Sequence, residues 1–149
     1  FIAQGDCRMH RLIVVLGAVI VATTPAQAQD AAAGEKVFVQ CKACHQVGET
    51  AKNAVGPMLN GLFGRKAGTI EGYSYSNANK NSGLNWDEAT FRDYIKDPRA
   101  KMPGTKMVFP GLKDPKQVDD VIAFLKQFDA AGKKKASAVI PATTLATIR

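Results

Sequence analysis

Cys41-Lys42-Ala43-Cys44-His45 constrains this chain more than any other stretch. Two thiols and an imidazole stand within five residues. On a helical turn, residues three apart share a face, so both thiols can meet one edge of a flat partner while the imidazole swings beneath it. C-x-x-C-H is the attachment pattern for c-type haem, giving a covalent anchor and one iron ligand in a single turn of chain. A dithiol redox pair usually comes with a βαβ pattern, and none is visible. Zinc needs further Cys or His ligands, and outside the motif the chain holds only Cys7 and His10. The predicted cofactor is therefore one haem c, attached through Cys41 and Cys44, with His45 on the iron.

Cys7 and His10 lie in a segment with the marks of an export leader. Met9-His10-Arg11 is a short basic start, residues 12–21 (LIVVLGAVIV) form an apolar run, and Ala26-Gln27-Ala28 is a small-x-small cleavage site. A membrane span needs about 20 apolar residues, so this run is too short to act as an anchor. Residues 1–8 precede a plausible initiator at Met9 and read as upstream sequence. Cleavage after Ala28 leaves 121 residues, enough for one domain, with 18 Lys and Arg against 12 Asp and Glu. That excess bears on solubility, steering and association rate rather than on fold. An acidic protein partner or an anionic membrane surface fits it. Nucleic acid does not, since an exported protein rarely meets it and no basic-aromatic pattern appears. The expected location is the periplasm.

Asp30 is positioned to cap a helix over residues 31–40, with Gly34, Val37 and Phe38 on one face. Residues 47–75 are rich in Gly, Asn and Pro and read as loop, too long for a compact domain unless a rigid body organises it. A short helical turn is expected over residues 76–81. Asn85 or Asp87 caps a second helix over residues 88–96, with Phe91, Tyr94 and Ile95 inward, and Asp97-Pro98 stops it. Residues 101–111 are irregular. Asp114 and Pro115 open the last helix, whose Val118, Val121, Ile122, Leu125 and Phe128 follow a helical period. Asp119, Asp120 and Lys126 suit its dipole. The domain spans residues 29–132, and a basic, polar tail over residues 133–149 has little to pack against. The reading is all-α: three main helices and long loops wrapped around one haem.

No second histidine is left for the iron's other face, so the candidates are Met58, Met102, Met107, a lysine, or nothing. Methionine is most often core filler. Met107, however, sits in a Pro- and Gly-rich strap, MPGTKMVFPG (102–111), that can present a thioether from the face opposite His45.

Four motifs in order, residues 41–45, GPMLNGLFGRKAG (56–68), YSYSNANKNSGLNW (73–86) and DPRAKMPGTKMVFPGLK (97–113), make the chain resemble the class I c-type cytochromes of mitochondria and alpha-proteobacteria. The resemblance covers residues 34–128. It implies Met107 as the axial thioether and Met102 as a core residue. It further implies that the Pro57 carbonyl holds the His45 imidazole and that Tyr94 bonds toward the Met107 sulfur. Arg65, Tyr75 and Trp86 would meet a haem propionate, with Asn79 and Thr105 completing the polar network. Gly34 and Phe38 would cross Val121 and Phe124. Three features depart from the family. Met58 replaces the usual Asn, only Val39 and Gln40 separate Phe38 from Cys41, and Ala100 and Lys101 rearrange the basic ring near the haem edge.

His/Met ligation leaves no open iron position, so the resemblance implies an electron carrier rather than an enzyme. Lys42, Lys52, Lys66, Arg99, Lys106 and Lys113 are expected near the haem edge, where they suit a salt-sensitive complex with acidic partners. By resemblance the donor is a quinol–cytochrome c oxidoreductase, and the acceptor a terminal oxidase or photosynthetic reaction centre. The carrier is expected to be soluble and monomeric. Two rivals stand beside it, a haem enzyme or gas binder with an open sixth site and a fixed subunit of a membrane enzyme. Lys106, or another lysine of the strap, is also a candidate to replace the thioether at alkaline pH.

Overall fold

The structure, a computed structural model, describes residues 29–135. The upstream segment, the leader, Cys7, His10 and the tail beyond residue 135 lie outside the described residues. Five helices follow one another: α1 (Ala31–Phe38), α2 (Asn77–Asn81), α3 (Glu88–Lys96), α4 (Pro98–Lys101) and α5 (Pro115–Lys126). Among the described residues the only strand-like pairings are two isolated bridges, Lys66 with Asn85 and Phe128 with Lys134.

Each helix begins where a side chain can satisfy its free N–H groups. Asp30 accepts from the N–H groups of Ala32 and Ala33, Ser76 from Asn79, Asp87 from Thr90, and Asp114 from Lys116. Three boundaries differ from the sequence reading. The first helix ends at Phe38 rather than at residue 40. From there Cys41 and Lys42 donate to the Phe38 carbonyl, and the chain winds through tight turns to His45. Asp97 does end α3, with φ −158°, but its carboxylate then caps Ala100, and Pro98 opens one further helical turn, α4, as a first-position proline can. Helix α5 ends at Lys126, so Phe128 lies just beyond it, still buried.

Terminal helices α1 and α5 cross where a side chain is missing. A Cβ on Gly34 would overlap the Asp120 carbonyl and sit 2.8 Å from the Phe124 Cβ, so only glycine permits this approach. Beside the crossing, Phe38 meets Phe124 with ring centroids 5.2 Å apart, and Phe124 meets Phe128 at 5.3 Å. Val118, Val121, Ile122 and Leu125 complete a nearly dry core. Asp120, 4 % exposed, fastens the start of α1 by accepting from the Asp30 N–H at 3.0 Å and pairing with Lys116.

After α5 the chain folds back instead of leaving the domain. Gly132 donates to the Asp129 carbonyl, Asp129 to Lys133, and Lys135 to Gln127 at 2.7 Å. Residues 133–135, read from the sequence as tail, are thus tied to the end of the last helix.

Candidate haem site

The long irregular segments wrap one cavity of about 350 Å3, within the range of ligand clefts, roughly 300–1,000 Å3. The turn carrying Cys41, Cys44 and His45 and the strap carrying Thr105, Met107 and Phe109 both line it. Phe91 and Ile95 of α3 and Val121 and Leu125 of α5 close the back. Each of the eleven residues named from the sequence lines it: Cys41, Cys44, His45, Pro57, Arg65, Tyr75, Asn79, Trp86, Tyr94, Thr105 and Met107. Met102 is buried in the core and Met58 lies outside the lining, so Met107 is the one methionine among the described residues that reaches the cavity.

The His45 Nδ1 lies 2.7 Å from the Pro57 carbonyl oxygen. A carbonyl can only accept, so Nδ1 carries the proton and Nε2 keeps its lone pair. Such a second-layer bond fixes tautomer and raises ligand basicity. Burial draws the imidazole below its ordinary pKa, with the Pro57 bond opposing, and favours the neutral ring that binds metal. Gly56 is packed on that ring, where an added Cβ would stand 2.7 Å from Nδ1.

On the strap, the Tyr94 hydroxyl donates to the Met107 sulfur at 3.3 Å, and the Met107 N–H donates to the Thr105 hydroxyl at 3.3 Å. Trp86 packs edge-on against Tyr94 at 4.9 Å. Asn79 Oδ1 accepts from Ser76 at 2.9 Å and from Thr105 at 3.3 Å. Arg65 donates to the carbonyls of Asn60 at 2.9 Å and Met58 at 3.4 Å. Burial lowers its pKa, with Tyr75 opposing, as expected of a cation awaiting a counter-charge. Burial and the neighbouring Cys44 push the Cys41 thiol up to about 11. Reactive dithiols work through a lowered pKa, so the Cys41 thiol is tuned against that chemistry.

These surroundings fit a haem. Two thiols, a neutral imidazole and a thioether line one cavity with largely apolar walls, and a half-buried guanidinium and hydroxyls on the same lining can pair a carboxylate. Zinc lacks ligands, since among the described residues no three His, Cys, Asp or Glu side chains cluster to hold a metal ion. The cytochrome c family profile matches residues 31–129. The chain belongs to the cytochrome c family. It is 59 % identical over 127 residues to cytochrome c2 of Blastochloris viridis, covering 85 % of this chain and all of that one. With cytochrome c-550 of Bradyrhizobium diazoefficiens it shares 61 % over 105 residues, 70 % of this chain and 77 % of the relative. Among solved structures, cytochrome cH from Methylobacterium extorquens aligns at TM-score 0.62 and 57 % identity, over 66 % of this chain and 98 % of that one. This cytochrome is thus a class I, all-α electron-transfer protein and not an enzyme.

Several residues of the cytochrome's site carried no signal in the sequence. Asn53 bridges two loops, donating to the Glu71 carbonyl at 3.0 Å and accepting from the Met58 N–H at 3.1 Å. Tyr73 donates to the Val55 carbonyl at 2.7 Å and meets Tyr75 edge-on. Asn60 is buried at 5 % exposure and bonds both backbone groups of Gly48. Asparagine in a loop reads as a turn former, and nothing marks one that cross-links.

Proposed function

We propose that this cytochrome shuttles single electrons in the periplasm, from a quinol–cytochrome c oxidoreductase to a terminal oxidase or photosynthetic reaction centre. Cys41 and Cys44 attach one haem c, and His45 and Met107 bind its iron. The single observation that carries the ligand assignment is Met107, the one described methionine on the cavity wall, its sulfur already held by Tyr94. A haem bound there supplies a one-electron Fe(III)/Fe(II) couple. The chain's own residues do the rest. Pro57 orients the imidazole, Tyr94 and Thr105 hold the strap, and apolar walls exclude water, which favours the reduced state. Arg65, Tyr75 and Trp86 serve the propionate with Asn79. With both axial positions filled by protein, nothing is offered to oxygen or peroxide, which separates this reading from the open-site rival.

Partner choice rests on surface charge. Among the described residues the ion pairs are Arg92 with Glu88 and Asp119, Lys101 with Asp93, Lys116 with Asp120, and Lys126 with Glu88. All lie on α3, α4 and α5. None of Lys42, Lys52, Lys66, Lys106 or Lys113 joins them, and Lys106 lies on the cavity wall. Val55 and Val108 line the cavity yet are 75 % and 78 % exposed, giving its mouth an apolar rim. Unpaired lysines together with a small apolar rim suit brief docking to acidic partners. No helix among the described residues is long and apolar enough to cross a membrane. Residues 9–28 serve as the export leader, residues 1–8 precede it, and the mature carrier is monomeric.

The decisive experiment compares near-infrared spectra of the ferric parent and Met107→Ala. The sulfur–iron band is expected in the parent and absent from the variant. An unaltered band in Met107→Ala rejects this ligand.

A further inference from the structure

Two stretches of chain run side by side beneath the cavity. His45 donates to the Pro57 carbonyl at 2.7 Å and the Leu59 N–H to the Gln46 carbonyl at 2.9 Å. The ladder ends on Asn60, whose Oδ1 accepts from the Gly48 N–H at 2.8 Å and whose Nδ2 donates to the Gly48 carbonyl at 2.9 Å. Asn60 is the only side chain among these rungs that holds both backbone groups of one residue. Its own carbonyl takes the Arg65 guanidinium. One residue therefore ties together the segment that follows His45 and the cation assigned to the propionate.

The far side of this junction is the turn after α5. Gly132, at φ +80°, lies flat on it. A Cβ there would overlap the Gly48 carbonyl and stand 2.6 Å from Asn60 Nδ2. Gly61 is similarly pressed against Ala130, and its N–H donates to the Phe128 carbonyl at 3.3 Å. The turn is in turn fixed by the bonds of Gly132 to Asp129 and of Lys135 to Gln127. Shape and hydrogen bonds thus run without a gap from the C-terminal turn to the His45 segment. Packed junctions of this kind shift as units rather than yielding locally.

We propose that Asn60, clamped by Gly132 of the C-terminal turn, is a positioning residue for the His45 imidazole and for Arg65, so that this turn tunes the reduction potential of the haem. The proposal rests on His45 as an iron ligand. A loosened clamp admits water to the imidazole side and frees Arg65 from the propionate. Both changes favour the oxidised iron, so the potential falls.

The test uses the haem-loaded protein and two variants that break the junction from opposite sides, Asn60→Ala and Gly132→Ala. Their potentials and the paramagnetically shifted His45 ring resonances of the ferric state are measured, with Glu88→Gln, which removes ion pairs on the helical face, as control. Both variants are expected to lower the potential and to move the His45 resonances in the same direction. The double variant should do little more than the larger single, since coupled sites are not additive, and the control should leave both readouts in place. Lower thermal stability with potential and resonances unchanged overturns the proposal. Should a variant fail to load haem, hydrogen exchange on the unmodified protein decides. The amides of Gly48, Gly61, Gly132 and Lys135 are expected to open as one unit, and Gly132 and Lys135 exchanging more than about tenfold faster than Gly48 overturns it. A parent without shifted imidazole resonances overturns the ligand reading, and the proposal with it.

Discussion

Tyr94 spends its hydroxyl on a sulfur, a weak acceptor, although oxygen acceptors are better partners. The bond makes sense only where the sulfur itself must be aimed and its electron density tempered. A donor on a thioether makes it a poorer partner for Fe(III) and so favours Fe(II). Tyr94→Phe keeps the packing on Trp86 but removes the O–H, so its potential should fall below the parent's while the sulfur–iron band survives. Voltammetry beside a near-infrared spectrum checks both halves of that expectation. Gly56 offers the complementary test on the other wall. Its missing side chain leaves the room the imidazole occupies, so Gly56→Ala should displace the ring and cut the yield of haem-loaded protein. A variant that loads and reduces like the parent refutes that reading.

Helix α1 has eight residues and little reason to persist alone. Its hold is the crossing with α5, where Gly34 meets the Asp120 backbone and the Asp120 side chain grips Asp30. Gly34→Ala forces an overlap against backbone and should destabilise by about 1–3 kcal/mol or more, read as a lowered midpoint in denaturant. Asp120 adds a pH dependence with a definite sign. Lys116 first, and the Asp30 N–H after it, hold its carboxyl below the ordinary value of 3.8 against the cost of burial. Its folded pKa is depressed, so its stabilisation is complete above the ordinary aspartate value and is lost as pH falls through the lower folded one. Asp120→Asn should therefore be less stable than the parent at neutral pH, and the gap should close in acid. Helical signal against denaturant at several pH values measures it.

Sequence reading and structure agree best at this scale for a physical reason. Caps and apolar periods are local, and Asp87 and Asp114 mark the starts of α3 and α5 within the residues that form them. The turn α4 escaped because Asp97 plays two parts, ending one helix and capping the next. Cys41, Cys44 and His45 were legible because C-x-x-C-H carries its chemistry in adjacent residues. The choice of Met107 and the roles of Pro57, Arg65, Tyr75, Asn79, Trp86, Tyr94 and Thr105 followed instead from the resemblance to class I c-type cytochromes. Asn53, Asn60 and Gly132 were not legible, because their partners lie 18, 12 and many more residues away, and no local pattern encodes a cross-link.

At the scale of the whole molecule, charge is sorted. Among the described residues the ion pairs gather on the α3–α5 face, and none of the lysines expected near the haem edge joins them. Such sorting makes a molecule orient in an acidic partner's field before contact, an effect that salt screens. Association with an acidic redox partner should slow as ionic strength rises. Lys42→Gln should slow it further and flatten the salt dependence, whereas Lys126→Gln, on the paired face, should leave the rate near that of the parent. Stopped-flow rates at several salt concentrations separate the two, and equal effects from both lysines would falsify a directed docking face.

The Cys41 thiol bears on the order of events in the life of the chain. Its pKa climbs from 9.0 to about 11 as the walls close around it. Phe91, Ile95, Val121 and Leu125 present apolar faces to the space a porphyrin would take. A chain that folded first would shut the Cys41 sulfur away in its least reactive state, and its apolar walls would have to reopen to admit the cofactor. Stitching the cofactor to the open chain reverses both penalties, because the thiols are then exposed and the collapse that follows has something to collapse upon. For this fold, covalent attachment is therefore expected to precede the closing of the hydrophobic core.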